Sequence, residues 1–132
     1  MLEVYEYIER GYNESQLREI QLGLNKGLDI SKYDDISFNS EQMQEIRFGL
    51  EKGLNVDVFA DPKYEFSQMY EIRKGLEQGL DVSKYADIRF DPAQMRLIRT
   101  DLKNGLDVSD FADPKYNYFE MRKIRKEKGR ED

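Results

Sequence analysis

The chain has 132 residues, 36% of them charged, a formal net charge of −6, and no cysteine, histidine or tryptophan. Its length suits one compact domain, and the missing residue types exclude disulfides, thiolate or imidazole metal sites, cysteine nucleophiles and histidine triads. No apolar run approaches the roughly 18 residues of a membrane helix. The acidic start Met1-Leu2-Glu3 is unlike a secretory leader, so the cytoplasm is the expected compartment.

In chain order, residues 1–11 read as a half-unit holding one short helix, with Tyr7 in the slot that an aromatic occupies in every later unit. A strict period of 26 residues follows, in which Leu17, Met43, Met69, Met95 and Met121 are each succeeded three residues later by Ile20, Ile46, Ile72, Ile98 and Ile124. Four whole units span 12–37, 38–63, 64–89 and 90–115, and 116–132 is a last half-unit, a polar capping helix. The whole of 1–132 is one repeat domain.

Within each unit the apolar spacing of Met69, Ile72, Leu76 and Leu80 is a helical stripe, which predicts a long helix of about 13 residues. Asn39-x-x-Gln42, Asp91-x-x-Gln94 and Asn117-x-x-Glu120 are capping boxes at its start, Pro92 suits the first helical position, and Gly27, Gly53, Gly79 and Gly105 mark its left-handed stop. Asp81-Val82-Ser83-Lys84-Tyr85-Ala86 then predicts a short second helix of about one and a half turns, ended by Asp61-Pro62 or Asp113-Pro114 where those occur. One such unit cannot bury its stripe alone. Stacked copies can, which predicts an all-α fold: tandem helix-turn-helix repeats in a short α-solenoid, with the two half-units as caps.

Three recurrences point beyond simple stacking. Arg47, Arg73, Arg99 and Arg125 each follow Asp35, Asp61, Asp87 and Asp113 by 12 residues, which suggests a structural ladder of carboxylate–guanidinium pairs; the functional reading is a row of anion-binding groups. Mid-helix Gly23, Gly49 and Gly75 each cost about 1 kcal/mol relative to alanine, so close approach of a neighbouring backbone, or a ligand contact, is expected there; Asp101 breaks the series. The slots of residues 14, 18 and 22 and their equivalents vary from copy to copy. They hold Leu22, Phe48, Phe66, Tyr70 and Tyr118 beside Arg18, Lys74, Arg96 and Arg122, either as a partner-binding face or as padding between helices.

The basic tail Met121–Arg130 carries six cations, but cations suit a helix C-terminus and no nucleic-acid recognition motif accompanies them, so direct nucleic-acid binding is not expected. No catalytic, cofactor-binding or metal-ligating pattern is present, and neither a cofactor nor a membrane is expected. The expected function is therefore a non-catalytic protein–protein interaction module. The rival is an acidic inhibitor of a host nucleic-acid-processing enzyme that imitates nucleic acid.

The run Gln68–Asp87, with the core Gln-Met-x-Glu-Ile-Arg-x-Gly-Leu-x-x-Gly-Leu-Asp-Val-Ser-x-Tyr-Ala-Asp, resembles a short helical repeat found in many copies in proteins of gut Firmicutes, often on conjugative elements or phages. The resemblance covers essentially the whole chain, with departures at Leu97 and Asp101 in the fourth unit. It carries no activity to any residue. Its setting on mobile DNA implies a candidate inhibitor of host defence, such as an anti-CRISPR protein.

Overall fold

The computed structural model describes residues 2–130, with side chains from Tyr5 onward; the outermost residues of the expected caps, 1, 131 and 132, lie outside the described part. Six α-helices follow one another: α1 (Leu2–Glu9), α2 (Glu14–Asn25), α3 (Ser40–Glu51), α4 (Phe66–Glu77), α5 (Pro92–Lys103) and α6 (Tyr118–Glu127). No strand occurs among the described residues. Each helix packs against the next, so the fold is the expected all-α array of repeats.

Local signals place every long helix. Capping boxes close α2, α3, α5 and α6, and Asn13 with Gln16 is one that the sequence reading missed. At the other end, Gly79 has φ +71°, Gly79 N–H reaches the Leu76 carbonyl at 3.1 Å and Leu80 N–H the Gly75 carbonyl at 2.9 Å. That is the two-bond Schellman stop, and it recurs at Gly27, Gly53 and Gly105. The repeat helices α2 to α5 are 12 residues long, close to expectation.

The second helix is shorter than predicted. After α2, α3 and α4 it is a single 3-10 turn (Ile30–Lys32, Val56–Val58, Val82–Lys84), capped by Asp29, Asn55 and Asp81; after α5 the segment keeps the closing bonds of Phe111 N–H and Ala112 N–H to the Val108 carbonyl, at 3.1 and 2.9 Å, without a full 3-10 helix. Three residues suffice because the segment has only to swing one aromatic ring inward. Tyr33, Phe59, Tyr85 and Phe111 are fully buried, beside a second buried row of Met43, Ile46, Met69, Ile72, Met95, Ile98 and Met121.

The cap glutamines do a second task. In α4, Gln68 accepts from Glu65 N–H at 2.9 Å and donates through Nε2 to the carbonyls of Phe90 at 2.7 Å and Ile88 at 3.2 Å. Gln16, Gln42 and Gln94 reach Phe38, Tyr64 and Tyr116 in the same way, at 2.7, 2.6 and 2.8 Å. One amide thus ends a helix and bolts it to the loop of the following unit, satisfying buried backbone carbonyls that have no helical partner.

The mid-helix glycines are explained by a side chain, not by a neighbouring backbone as expected. A Cβ at Gly75 would lie 2.1 Å from the Tyr85 hydroxyl and 2.7 Å from Val82 Cγ1, both in the unit's own inward turn. Gly23 meets Tyr33 and Ile30 in the same way, and Gly49 meets Val56 and Phe59. The gap lets the Tyr33 and Tyr85 hydroxyls donate to the Glu19 and Glu71 carbonyls, each at 2.6 Å. Burial pushes both phenols well above their usual pKa, which keeps them protonated as donors. Gly75→Ala is expected to cost about 1–3 kcal/mol by overpacking, against a gain of about 1 kcal/mol at an unhindered helix position. Urea unfolding measures the sign, and a stabilised variant would remove the packing account.

Candidate interaction surface

The predicted ladder exists, with different carboxylates. Arg47 Nε lies 2.8 Å from Glu19 Oε1, Arg73 Nε 2.7 Å from Glu45 Oε1, and Arg99 Nε 3.0 Å from Glu71 Oε1, each bridging adjacent helices. Arg47 and Arg73 also pair with Glu51 and Glu77 on their own helices. The expected partners Asp35, Asp61, Asp87 and Asp113 instead accept from the backbone N–H groups of Ser37, Lys63, Arg89 and Lys115 at 2.8–2.9 Å. A turn aspartate has a donor two residues away and bonds it with little ordering cost. The glutamates, by contrast, stand on the helix next door, 28 residues before their arginines.

The fourth unit shifts this arrangement by one helical turn. Leu97 occupies the slot of Glu19, Glu45 and Glu71, and Asp101 occupies the glycine slot. Arg125 on α6 grips Asp101 bidentately, Nη2 to Oδ1 at 2.7 Å and Nε to Oδ2 at 2.9 Å, and Arg130 adds a contact at 3.2 Å. Two departures that look independent in the sequence are one exchange: the carboxylate moved four residues along α5. At the position equivalent to Tyr33 and Tyr85 the fourth unit carries Phe111, which lacks their hydroxyl.

The variable slots divide into two groups. Phe48 is half-buried on α3, with the guanidinium carbons of Arg47 and Arg73 at 4.9 and 5.2 Å from its ring centre. Arg73 also lies 5.3 Å from the ring of Tyr70, which is exposed on α4 one turn beyond exposed Phe66. Phe48 and Tyr70 therefore share the Arg73 guanidinium, with Phe66 one turn before Tyr70 on α4, and Leu22 is half-buried on α2. Tyr118 is not part of this group. Helix α5 intervenes, carrying Pro92, Arg96 and Thr100 at the three slots, and Tyr118 lines a cleft between α5 and α6, with Phe119 edge-on to it at 5.7 Å.

That cleft, of about 760 Å³, is bounded by Arg96, Leu97, Thr100, Asp101, Tyr118 and the end of α6. Among the described residues no group of three or more acidic side chains is placed to hold a metal ion, and no helix is long and apolar enough to cross a membrane. No family model, curated protein or solved structure matches the chain.

Proposed function

We propose that the chain is a protein-interaction module whose partner docks on the α3–α4 aromatic patch. One observation carries the reading: Arg73, its charge met by Glu45 and Glu77, is held between the rings of Phe48 and Tyr70. Rings fixed before binding lose little entropy on docking, and aromatics with arginine are the usual anchors of a protein interface.

The competing reading, an acidic inhibitor imitating nucleic acid, has less to stand on. Glu19, Glu45, Glu71 and Asp101 are buried in the ladder, and the turn aspartates Asp35, Asp61, Asp87 and Asp113 cap backbone N–H groups. The anti-defence role rests on the resemblance to mobile-element repeats alone.

Phe66→Ala and Tyr70→Ala are expected to weaken the partner complex by about tenfold or more each, with the melting temperature little changed because both rings are exposed. Quantitative co-purification from the native host, followed by titration with the partner so identified, measures this. A complex retained at full strength by the double variant would overturn the patch, and one that dissolves steeply with salt while ignoring both substitutions would favour the acidic inhibitor.

A further inference from the structure

Leu97 and Asp101, where the fourth unit leaves the repeat pattern, and Thr100 between them all line the cleft between α5 and α6. Its volume of about 760 Å³ falls within the roughly 300–1,000 Å³ of small-molecule sites. The chain as a whole is acidic at −6, yet among the described residues this wall carries Arg96, Arg125, Lys128 and Arg130 against one carboxylate, Asp101.

The cations and carboxylates are layered. Asp101 is only 1% exposed and anchors Arg125 and Arg130 from behind. Glu71, with a side chain 1% exposed, does the same for Arg96, whose own side chain is 63% exposed. At the rim Lys128 pairs with Asp110, and Asp107 feels both Lys128 and Arg130 from the same loop. A guanidinium has five N–H donors; Arg130 reaches Asp101 through Nη1, and Arg96 reaches Glu71 through Nε and Nη2, which leaves further donors on each. Buried acids that hold guanidinium groups in place are how a protein preorganises an anion site; here Arg96 is the exposed one, and the Arg130 side chain is 15% exposed. Ala93, Leu97, Leu106 and the Tyr118 ring supply an apolar part of the wall, beside the polar side chains of Thr100 and Asn104.

We infer that this cleft binds a small organic phosphate, its anion held by Arg96 and Arg130 and its apolar body against Leu97 and Tyr118. The site is separate from the α3–α4 patch and does not depend on it. The probe is phenyl phosphate, compared with inorganic phosphate and benzyl alcohol, in an amide NMR titration of the full chain. Phenyl phosphate is expected to give saturating shifts at Asp101, Leu106 and Gly129 with a dissociation constant of about 1 mM or tighter, and each fragment to bind at least about tenfold more weakly. Arg96→Gln with Arg130→Gln should weaken the probe by at least about tenfold. Thr100→Trp, a change at an exposed position that fills the cleft and keeps every charge, should do the same. Shifts that fail to saturate, that scatter over surface lysines, or that persist in both variants would overturn the site. So would an acidic peptide that binds the cleft where phenyl phosphate does not.

Discussion

Arg73→Met is expected to lower the unfolding free energy by about 3–5 kcal/mol, the usual cost of leaving a buried charge without its partner. Arg73 and Glu45 are each 7% exposed, and the Nε–Oε1 contact is 2.7 Å. Methionine fills much of the space but offers Glu45 and Glu77 no donor. The loss falls at the joint between α3 and α4, and a stacked array is held together by such joints, so the urea transition should also broaden or split. Arg73→Met with Glu45→Met removes both charges and should recover most of the stability, because a buried ion pair gives little net advantage over an apolar pair of similar volume. A single variant within about 0.5 kcal/mol of the parent would show that the ladder does not hold the units in register.

The repeat architecture was readable from the sequence because every signal for it is local and recurs: an N-cap three residues before glutamine, an apolar stripe, and a glycine that alone takes φ near +70° without strain. Recurrence was of no help in choosing partners. Arg73 stands at a constant offset from Asp61 and from Glu45 alike, and only the placement of α3 beside α4 shows that Glu45 is the one within 2.7 Å. The same limit applies to Gly75, whose neighbour proved to be the Tyr85 ring of its own unit and not a backbone from the next. The structure brings Phe48 and Tyr70 of the variable slots together around Arg73, but a helical wheel drawn for a single unit carries no information about α5 standing between Tyr70 and Tyr118. The cleft itself was not legible in the sequence: Leu97, Asp101, Arg96, Tyr118 and the basic tail belong to separate patterns there, and only the packing of α6 on α5 brings them to one wall.

The pair of departures at Leu97 and Asp101 supports the second large expected effect. Asp101→Gly restores the repeat's residue at this slot, yet it should destabilise by about 3–5 kcal/mol, since Arg125, itself only 3% exposed, loses the carboxylate that meets it at both Nε and Nη2. Adding Leu97→Glu returns a carboxylate to the slot from which Glu71 reaches Arg99, at the same 28-residue separation. The double variant should therefore regain most of the loss, short by about 1 kcal/mol for glycine in a helix interior. Urea unfolding of both single variants and the double variant gives the coupling energy directly. A coupling near zero would mean that the two departures are unrelated. A large favourable one would show that the array tolerates a carboxylate at either of two turns of the helix, provided that the neighbouring arginine can reach it.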